Sequence, residues 1–161
     1  MQTINLVKEF HETFGHPIGT EPNIPSKEIV DFRVAFIKEE MNELLSAFAS
    51  DDIVEFADGL GDIQYVLDGF FLNAGLQDKK EAIMAEIHRS NMSKVCATER
   101  EAEETLNSLL YPAKATIESK FQFEVKKVGN YWIVYRRSDN KVMKSINYSK
   151  PDLHSIIYST T

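Results

Sequence analysis

Glu39, Glu40 and Glu43, followed after a short interval by Glu55, Asp58 and Asp62, are carboxylates separated by one, three or four residues within each group. On α-helices, spacings of three and four put side chains on a common face. Carboxylates with no thiol or imidazole among them form an all-oxygen donor set, which selects Mg²⁺, Mn²⁺ or Ca²⁺ over zinc or copper. Mg²⁺ keeps several waters and is commonly shared between carboxylates and substrate phosphates, so this set implies a polyphosphate or phosphate-ester ligand. The other carboxylate centre of helical bundles, a di-iron site, needs Glu-x-x-His motifs. None occurs: three residues before His88 stands Ala85.

An acidic run is most often a solvated face. From Glu39 to Asp68 there are nine acids and no Lys or Arg, while elsewhere 16 acids meet 18 bases, so this stretch more than accounts for the formal net charge of −7. Periodicity favours an inward set. Ser26 is positioned to cap a helix over residues 26–49, and at about 100° per residue that helix gathers Ile29, Phe32, Phe36, Ile37, Met41, Leu44, Ala47 and Phe48 in one apolar arc. Glu40 and Glu43 fall inside the arc and Glu39 at its edge. A carboxylate on a buried stripe is costly unless a partner or a metal neutralises it.

After Ser50-Asp51-Asp52, where either aspartate can cap, a further helix runs to about Asn73 and is stopped by Gly75. Its Glu55, Asp58 and Asp62 share a face with Tyr65 and Gly69. So short a break predicts an antiparallel hairpin. A turn centred between residues 50 and 51 sets Glu43 against Asp58 and Glu39 against Asp62. At about 1.5 Å per residue, Glu40, Glu43, Glu55 and Asp58 fill a band roughly 10 Å tall between helices about 8–10 Å apart, with room for one or two cations. Gly59, Gly61 and Gly69, each costing roughly 1 kcal/mol against Ala in a helix, read as close helix approach or room for a ligand.

Phosphate charge also calls for cations of the protein. Arg33 lies on the apolar arc two turns before Glu40, and His88, Asn91 and Lys94 succeed one another at i, i+3 near the end of a helix over residues 78–95. For Arg33 and Lys94 the competing reading is a neutralising partner for the acids or a surface residue; for His88 it is a satisfied core or surface histidine.

The 161 residues, 43% hydrophobic and 27% charged, suffice for one domain, or a domain with an appendage, and argue against a disordered chain. No apolar run approaches the roughly 18 residues of a membrane span, and no secretory leader is visible. The lone Cys96 excludes an internal disulfide or a cysteine zinc cluster, so a cytoplasmic protein with no membrane partner is expected. An opening helix over residues 3–14 ends at Gly15, ahead of Pro17, Pro22 and Pro25. Beyond Cys96 the character shifts. Thr98 and Glu101 form a capping-box pattern for a helix to Leu110. Strands over residues 120–127, 131–137 and 141–148 then predict a small antiparallel meander, giving domains of 1–95 and 96–161. Tyr131, Trp132 and Tyr135 among Lys126, Lys127, Arg136 and Arg137 could form a nucleic-acid patch. The net charge opposes it, and packing of the meander against its helix is the favoured reading.

Glu40-x-x-Glu43 followed by Glu55-x-x-Asp58 resembles the E-x-x-E…E-x-x-D signature of the all-alpha nucleotide pyrophosphohydrolase superfamily, which includes MazG-like proteins, dimeric dUTPases and phosphoribosyl-ATP pyrophosphohydrolases. Val7-Lys8-Glu9-Phe10-His11, Arg33 ahead of Glu39-Glu40, Asp58-Gly59-Leu60-Gly61-Asp62 and His88-Arg89-Ser90-Asn91-Met92-Ser93-Lys94 are similar to the phosphoribosyl-ATP-pyrophosphohydrolase-like branch. The likeness covers about residues 1–95 and returns in Lys141-Val142-Met143-Lys144 and Pro151-Asp152-Leu153. It implies a mainly α fold, a helical bundle completed by dimerisation as a homodimer or dimer of dimers, here with a C-terminal helix and β meander. Apolar surface beyond what a short bundle covers, Phe70, Phe71 and Leu72 included, agrees with a dimer.

By the same resemblance Glu40, Glu43, Glu55 and Asp58 hold Mg²⁺, with Mn²⁺ as a substitute. Glu39, Glu40 and Asp62 are then the candidate catalytic residues, and Asn91 and Lys94 contact nucleotide phosphates beside the Arg33 and His88 read above. The implied reaction is hydrolysis of a nucleoside triphosphate, standard or modified, to the monophosphate and pyrophosphate. Two alternatives stay open: a phosphoribosyl-ATP pyrophosphohydrolase, disfavoured by the inserted stretch from about Ala97 to Ser138, and a non-catalytic module binding metal or nucleotide for regulation.

Overall fold

The computed structural model describes residues 2–110 and 122–159. In chain order these form α1 (Thr3–Phe14), α2 (Lys27–Ser50), α3 (Ile53–Asn73), a 3₁₀ turn (Gln77–Lys79), α4 (Lys80–Met92), α5 (Glu99–Leu110), β1 (Phe123–Val128), β2 (Tyr131–Arg136), β3 (Lys141–Val142) and α6 (Leu153–Tyr158). The chain is therefore mainly helical with one small antiparallel sheet. It divides into two compact units, residues 1–81 with 157–161, and residues 82–156. No helix among the described residues is long and apolar enough to cross a membrane.

The first unit is built on the α2–α3 hairpin. Ser26 caps α2 by accepting from the Ile29 amide. Asp51 ends α2 in the left-handed region at φ 56°, and Asp52 then caps α3, its Oδ1 accepting from the amides of Val54 and Glu55 at 2.9 and 3.2 Å. The helices approach closely at Gly59, where a Cβ would stand 3.2 Å from Leu44 Cα. Arg33 meets Gly69 further along, whereas Gly61 faces open space. These contacts shift the register by one to two residues from a turn centred between residues 50 and 51. Helix α1 packs on α3, with Ile4, Val7 and Leu72 buried together against Ile18 and Phe71. Asp68, fully buried, accepts from Thr3 Oγ1 at 2.6 Å and Gln64 Nε2 at 2.9 Å and pairs with Lys80. It thus ties α1 to α3 and to the first residue of α4.

The second unit has its own core of Cys96, Ala102 and Val134, extended by Leu106, Phe123, Trp132 and Met143. The capping box forms: Thr98 Oγ1 accepts from the Glu101 amide at 3.2 Å while the Glu101 carboxylate accepts from Ala97 N at 2.7 Å. β1 and β2 pair antiparallel from Phe123 opposite Arg136 to Val128 opposite Tyr131. Cys96 and Trp132 exchange both backbone hydrogen bonds at 2.8 Å, adding a bridge to the sheet. Trp132 packs into the core, while Tyr131 is exposed.

Three elements differ from expectation. β3 is two residues long instead of spanning 141–148, because the chain beyond Met143 bonds to Ser93: Ser145 Oγ donates to Ser93 O at 2.8 Å and Ser149 N to Ser93 Oγ at 2.9 Å. The helix over 78–95 is a 3₁₀ turn followed by α4, which ends at Met92. α6 was absent from the sequence reading, although Asp152 caps it by accepting from Ser155 N and Oγ. Residues 120 and 121 of the expected first strand lie outside the described residues.

Candidate active site

Helices α1, α2 and α3 frame a groove of about 290 Å³. Glu40 from α2 and Asp62 from α3 line it together with Phe10, Phe36, Tyr65 and the buried pair His11 and Arg33. The aromatic lining consists of two packed pairs: Phe10 meets Tyr65 edge-on at 5.7 Å between centroids, and Phe36 leans on Phe32 at 4.6 Å.

Glu40 is the electrostatic focus of the acidic set. Its carboxyl is held above the ordinary 4.5, by burial first and then by the negative charges of Asp62, Glu43, Glu39 and Asp58 in that order. Glu40 thus shares the groove with Asp62, which the hairpin arithmetic had set against Glu39. Glu55 stands exposed in the first turn of α3. The inward reading needs correction in one respect: Glu39, Glu43, Glu55 and Asp58 are exposed, and only Glu40 and Asp62 are half-buried. The reason is that α3 covers only part of the apolar arc of α2, leaving Phe32, Phe36, Met41 and Phe48 uncovered as well.

Among the described residues no three carboxylate, imidazole or thiol groups converge tightly enough to cage a metal. The donor chemistry nonetheless fits Mg²⁺. It is all oxygen and carries concentrated negative charge. Mg²⁺ binds through one or two carboxylates, with waters and phosphate oxygens completing its octahedron.

Arg33 is buried without a counter-ion. Its Nε donates to Asn73 Oδ1 at 2.6 Å and its Nη2 to His11 Nε2 at 2.8 Å, both neutral acceptors. No carboxylate pairs with it among the described residues. Nη1 rests over Gly69, where a Cβ would lie 2.6 Å away. The positive charge therefore remains available to an anionic or carbonyl oxygen entering the groove. A Gly69→Ala change should push the guanidinium off His11 and Asn73. Hydrogen bonds to a charged group are worth about 1.5–3 kcal/mol each, so a loss of that order in urea unfolding is expected, together with a roughly tenfold rise in the KM for nucleotide.

The partners of His11 determine its tautomer. Pro17 O can only accept, so Nδ1 donates to it at 3.1 Å, and Arg33 can only donate, so Nε2 accepts. The ring is neutral, and burial, followed by the charges of Arg33 and His16, pulls its pKa below 6.5 against the opposing Pro17 bond. A histidine lowered on folding binds its proton more readily in the unfolded chain, so the stability it contributes is lost as pH falls below 6.5 toward the folded value. Urea unfolding at pH 5 and 7.5 should show that loss in the wild type, and His11→Gln should remove this component.

His88, Asn91 and Lys94 belong to the second unit. His88 is exposed on α4, and Lys94, in the turn beyond α4, donates to Asn91 Oδ1 at 2.7 Å. The sequence reading did not pick out His11, Asn73, Phe10 or Phe36 as site residues. The signal within reach was His11 in the Phe10-His11 word, since a histidine beside a buried arginine calls for a specific pairing.

The family model described as phosphoribosyl-ATP pyrophosphohydrolase matches residues 7–91, a span that holds every groove residue named above. An uncharacterized protein of Acanthamoeba polyphaga mimivirus is similar at 23% identity, with 94% of each chain covered. The chain belongs to the phosphoribosyl-ATP pyrophosphohydrolase family, within the all-alpha nucleoside triphosphate pyrophosphohydrolase superfamily.

Proposed function

We propose that the chain hydrolyses a nucleoside triphosphate, standard or modified, to the monophosphate and pyrophosphate with Mg²⁺, for which Mn²⁺ can substitute. Family membership supports pyrophosphohydrolase chemistry on a nucleotide. The observation that carries the finer reading is the groove itself, where an acidic pair suited to a metal-bound phosphate chain meets an aromatic wall and an uncompensated Arg33 suited to a base.

Glu40, Glu43, Glu55 and Asp58 would hold the ion. Bound there, Mg²⁺ would neutralise phosphate charge and lower the pKa of a coordinated water. Asp62, Glu39 and Glu40 would orient the attacking water and accept its proton. Phe10, Phe36 and Tyr65 offer faces to a flat base and Arg33 fixes one of its oxygens; the resemblance, not the geometry, adds Asn91, Lys94 and His88 as ligands of phosphate oxygens. In this reading residues 1–95 carry the reaction and residues 96–161 are accessory. The exposed Phe14, Leu45, Phe48, Ile53 and Val54 of α1–α3 support a homodimer or dimer of dimers, and a cytoplasmic setting suits the lone, buried Cys96.

Pyrophosphate release from a panel of standard and modified nucleotides with Mg²⁺ tests the reading. No turnover on any of them in the metal-loaded protein would leave a binding module. The name of the matching family favours a second substrate, phosphoribosyl-ATP, and turnover of that compound alone would select it.

A further inference from the structure

Residues 82–156 contain nine acids and twelve bases, a formal +3 against the −7 of the whole chain. Much of that charge is matched locally. Arg89 forks onto Glu86, Arg136 pairs with Asp139, and Lys126 and Arg137 share Glu124. Three lysines have no carboxylate partner among the described residues and act on a common residue: Lys144 Nζ stands 4.6 Å from the centre of the Tyr148 ring, and Lys94 and Lys150 also act on the Tyr148 hydroxyl electrostatically.

Their gathering is fixed by one serine. Ser93 O accepts from Ser145 Oγ at 2.8 Å, and Ser93 Oγ accepts from Ser149 N at 2.9 Å. Lys144 directly precedes Ser145, Lys150 directly follows Ser149, and Lys94 directly follows Ser93. A further bond, from Arg89 Nη2 to Lys150 O at 3.0 Å, holds the far end of the segment. Lys94 Nζ donates to the Asn91 side-chain Oδ1 at 2.7 Å, which leaves the Asn91 NH₂ as a donor, and the nearby backbone carbonyls of Ser93 and Lys150 already accept bonds.

We propose that Lys94, Lys144 and Lys150, with Asn91, form a receptor for a short linear oligophosphate, free or as the phosphate chain of a nucleotide. The inference deepens the functional reading by adding Lys144 and Lys150, from the segment after β3, to its phosphate ligands. Three ammonium groups gathered by the bonds of one serine suit such an anion, in which several charged oxygens lie within a few ångströms. Nucleic acid would need an extended basic track with free aromatic faces. Here Trp132 is packed in the core and Lys126 lies over Tyr135.

The experiment is calorimetric titration of the full chain with inorganic triphosphate in metal-free buffer, alongside Lys144→Gln, Lys150→Gln, the double change and Lys144→Arg. Wild type is expected to bind, each glutamine to weaken binding roughly tenfold, as for loss of one charge-assisted hydrogen bond, and the arginine to retain it. Unchanged Trp132 emission verifies the fold, and the single change at exposed Lys150 serves if the double variant unfolds. No binding by wild type, or equal binding by the double variant, overturns the proposal. So does tighter binding of a single-stranded oligonucleotide that the same changes abolish. Because no turnover is measured, a protein that binds triphosphate through these lysines yet hydrolyses no nucleotide would refute the enzymatic reading and leave the receptor standing.

Discussion

Replacing Glu40 by Gln is expected to lower pyrophosphate release by roughly a hundredfold or more while raising the melting temperature of the metal-free protein. The two effects have one origin. Glu40 is, with Asp62, one of the two half-buried members of a set of five carboxylates, and burial and the surrounding charges hold its carboxyl above 4.5. A carboxyl raised on folding binds its proton more readily in the folded chain. Between 4.5 and the folded value, stability therefore declines as pH rises, and above that window the ionised group opposes folding. Gln keeps the shape and removes the charge. The metal-free wild type should lose stability across this window as pH increases, the variant should lack that slope, and Mg²⁺ should raise the melting temperature of the wild type more than that of the variant. Full turnover by Glu40→Gln would refute the assignment of the site. Lost turnover with a lowered melting temperature would instead make Glu40 a structural residue.

Asp68→Ala should be the most destabilising single change in the first unit, at about 3–5 kcal/mol, the range for removing one partner of a buried ion pair. Asp68 is fully buried, and the side chain of Lys80 is only 12% exposed. Truncation strands the ammonium and leaves Thr3 Oγ1 and Gln64 Nε2 without their acceptor. Against a total stability of about 5–15 kcal/mol for an ordinary domain, the urea midpoint should fall by more than about 1 M. Removing both charges with Asp68→Leu and Lys80→Met should recover most of the loss, since a neutral packed pair often replaces a buried ion pair at little cost. A loss below about 1 kcal/mol in the single variant would show that the pair contributes little.

The features legible in the sequence are those governed by near neighbours. Ser26, Asp52 and Thr98 each cap the helix assigned to them, because a cap needs only a short polar side chain two or three residues before an amide. The α2–α3 hairpin follows from the brevity of residues 50–52. Its register does not, because Asp51 turns through the left-handed region and Asp52 is extended, and a symmetric turn centre ignores both. Arg33 was singled out, but its cradle was not: Asn73 is 40 residues away and His11 is 22, and no helical period connects them. The exposure of Glu43 and Asp58 was likewise hidden, because a helical wheel identifies an apolar arc without saying how much of it a neighbour covers. Ser93 escaped notice for a related reason. Its partners, Ser145 and Ser149, lie more than 50 residues on, the first inside the expected third strand over 141–148 and the second just past its end.

Cys96 and Trp132, joined by the bridge that completes the small sheet, are the only thiol and the only indole in the chain. Both lie within residues 82–156. Indole fluorescence and thiol labelling therefore report on that unit alone, and labelling of a sulfur with no exposed surface must wait for the unit to open. Helical ellipticity is dominated by the long helices α2 and α3, in the other unit. Superimposable denaturation curves from fluorescence and circular dichroism would show that the two units melt as one cooperative body. Separated curves would give, without any engineered label, the stability of each unit by itself.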